Sequence, residues 1–406
     1  MKKDNIHRRD FLKYVLAATA GLGLAGLNSI YSKSADGEPS LPVYLPFVVQ
    51  KFYSPSLIGR VVHIHAPTVT NWNFDYDQYF GETQSADTIG VNQGVVDAII
   101  DRGVTGLLGL SPGEIVKAWK QLIPDYSHGK QVAIKANFNN SFNCGNTTTD
   151  VNSIAQPINA IVRGLKLCGV RDQDIVVFDA IRAFPDRVFN ELIYKNIQIH
   201  DKGCRGYPST WNSSDPDALV QFSPPSGSIS AVRVTDTLIN ANYLINLPLM
   251  KGHPIAGVTL SFKNHFGSVN NPSGMHEHVS TSYSQISQYN ALVDLYSNPH
   301  IRDKTVLTIA DGIYGSRKYQ NTPPEPWKTF NDRSPCSLLF STDPIAIDCV
   351  MHDLLKAERG LSQPGTSDSY LKLSAGVGLG IYESGNPWGM PYGSGYSLID
   401  YERIEM

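Results

Sequence analysis

The stretch "QVAIKANFNNSFNCGNTTTDVNSIAQPINAIVRGLKLCGVRDQDIVVFDAI", residues 131–181, decides the fold. Its two ends, "QVAIKANF" (131–138) and "DIVVFDAI" (174–181), read as strands: short apolar, β-branched runs that break into polar residues. Between them "SIAQPINAIVRGLKLCGV" (153–170) reads as a helix that stops at Gly169. Strand, helix and strand at this spacing form a crossover unit, which is how two parallel strands are joined.

The same alternation extends both ways. Upstream, "RVVHIHAP" (60–67) is a strand and 91–109 and 111–124 are helices, the second with Ser111 as N-cap, Pro112 in its first turn and Glu114 three residues after the cap. Downstream, 184–196 is a helix and 198–236 an irregular insertion with one or two strands. The run 241–250 is a strand, and 257–267 is either a helix start or a strand followed by a turn. A helix at 281–299, strands at 304–313 and 336–344, and a helix at 344–360 complete the pattern. The expected class is α/β, a mainly parallel sheet with crossover helices, as one body or as two α/β lobes with a cleft between them.

Composition narrows the function. With 406 residues, 41% hydrophobic and 17% charged, the chain has the profile of a folded protein. A net charge of -3 argues against nucleic acid as a partner. Arg8 and Arg9, followed by the mildly apolar run to Leu27, resemble a twin-arginine export signal, which implies the twin-arginine translocase as a partner and a periplasmic, extracellular or cell-surface location. The run is short and rich in Gly and Ala, so no stable transmembrane domain is expected once the signal is removed, although retention as an uncleaved anchor is the other reading. The expected organisation is a signal at 1–35, a Pro-rich connector at 36–58, an α/β domain at 59–360, and a Gly/Tyr-rich segment at 361–406 packed on that domain.

Five cysteines (Cys144, Cys168, Cys204, Cys336 and Cys349) include no CxxC, so there is no iron–sulfur motif, and the odd count leaves at least one thiol outside any intrachain disulfide. Cys168 and Cys349 sit in apolar helix patterns and read as core. There is no P-loop, no GxGxxG after a strand, no HExxH and no GxSxG.

Polar clusters end the strands: "KANFNN" with Lys135 and Asn137, "DAIR" with Asp179 and Arg182, "KGH" with Lys251 and His253, Asp311 before Gly312, and "STDP" with Asp343. In a parallel sheet the carboxyl ends of strands share one edge, where ligands sit, so one shared pocket is expected.

The segment "INLPLMKGHPIAGVTLSFKNHFG" closely resembles the central motif of the domain of unknown function 362 family, a strand followed by Lys-x-His, Gly-x-Thr and Lys-Asn-x-x-Gly. Lys251, His253, Gly257, Thr259, Lys263, Asn264 and Gly267 stand at those places, and "AIKAN", "ADG" and "STDPIAID" agree, so the likeness runs from about 130 to 360. It implies a family but no reaction. Some members carry ferredoxin-like domains, for which this chain lacks the cysteines. A weaker similarity, His253-x3-Gly257-x5-Lys263, is to the lactate racemase family, and implies a nickel pincer cofactor on the lysine with histidines that ligate nickel or move a proton. Asn264 after the lysine and the missing histidine-rich turn near Asp179 depart from that pattern.

Each candidate has two readings. Lys263 is a buried amine serving as anchor, base or anion clamp, or an exposed lysine whose stem covers apolar surface. His253 moves protons or binds metal, or caps a strand end. His276 and His278, two apart, would face one side of a strand and could bind nickel, zinc or iron; His63 and His65 share that spacing. Asp343 is placed to cap the 344–360 helix, and Asp348, one turn inside, points into the pocket or pairs with a cation. Asp311 is a turn former or a pocket acid. Asp179 and Arg182 form a local ion pair, or Arg182 clamps an anion.

The expected function is therefore an exported enzyme or cofactor-binding protein with a pocket of Lys251, His253, Lys263 and Asn264, supported by Lys135, Asn137 and Asp348, for a small anionic ligand, a cofactor or a metal. A racemase-like isomerase and a non-enzymatic ligand- or metal-binding protein are the alternatives, and an oxidoreductase partner is disfavoured by the lack of clustered cysteines.

Overall fold

The two strands and the helix read between 131 and 181 form as their spacing predicts. In the computed structural model residues 57–72, 90–145, 150–316, 324–359 and 366–406 are described; the twin-arginine segment and nearly all of the connector lie outside them.

The described chain opens with β1 (Arg60–His65), α1 (Gln93–Leu107) and α2 (Ile115–Leu122). The Ser111–Glu114 capping box is formed on the turn into α2. The crossover unit follows as β2 (Val132–Lys135), α3 (Ala155–Leu167) and β3 (Ile175–Phe178), with Val132 opposite Ile175 in a parallel ladder. Just past α3, Gly169 has a φ of 95°, which ends the helix at little steric cost. Helix α4 (Asp186–Glu191) is shorter than its run predicts; only Val188 in it is buried, so no apolar face holds further turns.

The 198–236 insertion holds four strands where one or two are expected: β4 (Gln198–Asp201), β5 (Tyr207–Pro208), β6 (Leu219–Val220) and β7 (Val232–Arg233). Two-residue strands have no periodicity to read. After α5 (Asp236–Asn240), the 241–250 run divides at Leu247 and Pro248 into β8 (Tyr243–Asn246) and β9 (Leu249–His253). The ambiguous 257–267 segment is strand and then helix, β10 (Gly257–Thr259) and α6 (Ser261–Asn264). Helix α7 (Ala291–Ser297) occupies only the end of 281–299, and α8 (Pro299–Arg302) follows. The chain closes with β11 (Thr305–Ser316), β12 (Ser337–Ser341), α9 (Pro344–Arg359), α10 (Ser369–Gly376) and β13 (Asp400–Glu405).

Eleven strands form one sheet, ordered β13-β1-β12-β11-β8-β2-β3-β4-β5, with β9 pairing β11 and β10. Along that order only β12 runs antiparallel to its neighbours. The sheet is buried on both faces. Val62, Ile64, Val132, Ile134, Ile175 and Val177 pack with α1, α2 and α3, whereas the alternate residues Val61, Ala133, Val176 and Phe178 belong to the core containing α7, α9 and α10. Strand β13, within the Gly/Tyr-rich terminal segment, adds to the sheet edge beside β1.

Three neighbouring strands end level with one another. Asn246 at the end of β8 is opposite Lys135 at the end of β2, and Lys135 is opposite Phe178 at the end of β3. This is the carboxyl edge, and it positions the site.

Candidate functional site

The first polar layer is an amide chain across this edge. Asn137 Nδ2 donates to Asn264 Oδ1 at 2.9 Å, and Asn264 Nδ2 donates to Asn246 Oδ1 at 2.7 Å and to the Lys135 carbonyl at 3.2 Å. Asn246 Nδ2 continues to the Ser261 carbonyl at 3.0 Å. All three asparagines are buried. Sequence reading missed Asn246, whose signal was a lone polar residue ending an apolar strand.

Beside the amides lies a buried ion pair. Lys135, fully buried, has its Nζ 3.3 Å from Asp179 Oδ2 and donates to the Ala136 carbonyl at 2.6 Å. Burial holds the lysine's pKa below its ordinary value, with Asp179 opposing that shift. Of the two readings of Asp179 and Arg182, the local ion pair is not formed: Arg182 Nε donates to the Asn139 carbonyl at 2.9 Å, and its guanidinium stands 4.4 Å from the centre of the Phe142 ring.

The segment quoted for its resemblance makes the opposite wall. Strands β9 and β10 form a hairpin with His253 opposite Gly257, whose φ of 78° the turn requires. His253 Nδ1 accepts from the Ile255 and Ala256 N–H groups, both at 3.1 Å, which leaves the ring proton on Nε2. The chain then enters α6, whose first turn is held from outside. Asp348 Oδ1 accepts from Ser261 N–H at 2.9 Å and Asp348 Oδ2 from the Tyr370 hydroxyl at 2.9 Å. Lys263 and Asn264 are thereby fixed.

These elements enclose a cavity of about 220 Å³, lined among others by Asn137, Arg182, His253, Lys263, Asn264 and His276. Lys263 is 7% exposed; its Nζ lies over the Phe266 ring at 4.2 Å, and no carboxylate pairs with it among the described residues. Burial, then Lys251 and Arg182, bring its pKa down to about 7, and burial likewise brings Lys251 to about 8. Burial, Lys263 and Lys251 drive His253 down to about 2, so it is neutral. The site is cationic, with one amine able to exchange its proton near neutral pH.

Other candidates lie apart from the cavity. Lys251 and Lys135 are both buried and neither lines the cavity. Asp343 does cap α9, accepting from Ile345 and Ala346 N–H at 2.9 Å, and also ties down Gly59 and Ile381. Asp348 points at the α6 backbone and not into the pocket. Asp311 is neither turn former nor pocket acid, because β11 runs on through it; its Oδ1 accepts from Ile313 N–H and burial raises its pKa to about 7.

The HxH pairs do not become metal sites. Residues 272–279 form two 3-10 turns instead of a strand, so His276 lines the cavity while His278 turns to the Ser226 carbonyl and the Tyr283 ring. His63 is consumed by Tyr401 and Ser337, and His65 faces Glu405. His253 presents a proton on Nε2, so it offers a metal no lone pair there, and no three His, Cys, Asp or Glu side chains converge among the described residues. The donor set does not fit the histidine-held nickel that the racemase similarity implies. Cys144 and Cys204 form a disulfide, and Cys168, Cys336 and Cys349 are free.

The domain of unknown function family (DUF362) matches residues 132–353, from β2 into α9. The chain belongs to this family. Every residue lining the cavity falls inside the DUF362 region. No curated protein matches the chain. Among solved structures, a crystal structure of a Thermotoga maritima protein from a structural genomics consortium is similar at 13% identity, with a TM-score of 0.32. The match spans half of this chain and half of that one. No described helix is long and apolar enough to cross a membrane.

Proposed function

We propose that this DUF362 protein is exported and binds a small anion in the cavity at its carboxyl edge, and that it acts there as an enzyme moving a proton with the Lys263 amine. The observation that carries the reading is Lys263 itself: a buried amine on the cavity wall, without a carboxylate partner among the described residues, with a pKa near 7. A lysine so placed gains from an anion's charge and can also serve as a base at neutral pH. Arg182 adds a second cation to the same cavity. The Cys144–Cys204 disulfide supports export, since such bridges persist in oxidising compartments.

The test follows binding and proton exchange together. Small carboxylates and phosphates are titrated calorimetrically into the protein, and exchange of their carbon-bound protons in D2O is followed by NMR. Exchange that disappears in a folded Lys263→Ala variant supports the enzyme. Binding without exchange in the wild type favours the ligand-binding alternative. No binding of any anion overturns the reading. Intact mass and elemental analysis complete the test: an added mass on Lys263 together with nickel would restore the racemase-like cofactor reading.

A further inference from the structure

We propose that the anion this cavity takes carries an apolar group about the size of a phenyl ring, because the cationic floor of the cavity opens through an apolar mouth. The inference rests on the anion-binding reading above and narrows its ligand. The lining residues divide by burial. Lys263, Asn264 and His253 are buried and form the floor. Phe142, 54% exposed, and Ile255, 37% exposed, line the same cavity and so stand at its mouth. Ile181, Pro254 and Pro272 complete the rim, and none of them is buried.

Single exposed apolar residues are ordinary on a folded protein and need no explanation. These are not single. They come from segments far apart in the sequence: Phe142 after β2, Ile181 after β3, Pro254 and Ile255 between β9 and β10, and Pro272 in the 3-10 turn Pro272–Met275. The fold gathers them round one opening, and an apolar rim with a few fixed polar groups is the usual make-up of a small-molecule site. Charge and apolar surface also touch there. The Arg182 guanidinium stands 4.4 Å from the centre of the Phe142 ring, so a ligand that meets the guanidinium has its next atoms beside that ring. Acetate or inorganic phosphate would meet the cations and leave the rim in water. An anion with an apolar substituent meets the cations and also takes Phe142 and Ile255 out of water, which is favourable in proportion to the area covered. An apolar cavity of roughly 150 Å³ is enough for benzene. The volume of about 220 Å³ therefore has room for a ring and a carboxylate or phosphate head.

The experiment is calorimetric titration of the whole protein at pH 6, where Lys263 is mainly charged, with pairs that share a head group: acetate against phenylacetate, and methyl phosphate against phenyl phosphate. The phenyl member of at least one pair is expected to bind about ten-fold more tightly or better. Phe142→Ser and Ile255→Ser change exposed side chains, and each should lower that ratio, with the double variant abolishing it; melting curves check that the variants are folded. The pair that shows the preference identifies the head group as carboxylate or phosphate. Equal affinity within both pairs overturns the inference while leaving the anion pocket standing. A preference that survives in the folded double variant overturns the assignment of the rim. Benzyl alcohol binding as tightly as phenylacetate would show that the charge contributes nothing, and would overturn the anion reading together with this one. If no member of either pair binds, the two readings also fall together.

Discussion

Asp348, on the long helix α9, accepts the backbone N–H of Ser261 at 2.9 Å and so caps the one-turn helix that carries Lys263 and Asn264. The residue acts on the cavity without lining it. Replacing it by Asn leaves an NH2 group facing the Phe262 N–H or the Tyr370 hydroxyl, and the expected loss is about 1–3 kcal/mol of stability. The sign of its pH dependence follows from burial, which raises the Asp348 pKa from 3.8 to about 7. The folded state holds the proton more tightly than the unfolded state, so this contribution is full below pH 4 and is lost as pH rises to about 7. The stability gap between wild type and Asp348→Asn, measured by urea unfolding at pH 5 and pH 8, should therefore be larger at the lower pH.

Gly267 is required for space. A Cβ there would stand 2.5 Å from Asp179 Oδ1 and 2.6 Å from Lys135 Nζ. Gly267→Ala must push the buried pair apart, and the expected cost is about 1–3 kcal/mol with loss of anion binding. A Gly267→Ala protein with wild-type melting temperature and affinity would refute this account.

Anion affinity should depend on pH through Lys263. Its pKa of about 7 in the free protein means that the charged form, which attracts an anion, predominates below that value and is depleted above it. Affinity is expected to be highest at pH 6 and to fall about ten-fold or more by pH 9, with proton uptake on binding near pH 8. Lys263→Met should bind weakly and lose most of that dependence, leaving any remainder to Lys251. The same calorimetric titrations, in buffers of differing ionisation enthalpy, measure the proton count.

The Cys144–Cys204 bridge closes a loop with a sequence separation of 60 and follows closely after Asn139 and Phe142 of the cavity lining. In the chain-entropy account such a crosslink is worth about 4 kcal/mol. The Cys144→Ser/Cys204→Ser protein should melt lower and bind the anion less tightly. Unchanged melting on reduction would show that the bridge carries no stability.

The sequence by itself determined the α/β class, the 131–181 crossover unit, the 344–360 helix with its Asp343 cap, and the family segment with Lys263, Asn264 and His253. These are local signals: periodicity, caps and turn residues act within a few positions of one another. Only the tertiary structure decided which polar residues meet. Lys135 takes Asp179 while Arg182 turns to Asn139, Asn246 completes the amide chain, Asp348 serves a backbone 87 residues away, and His276 parts from His278. Those pairings are made between the carboxyl ends of separate strands and from α9 to the backbone of α6. Strand register and layer packing fix them, and neither is encoded in the spacing along the chain.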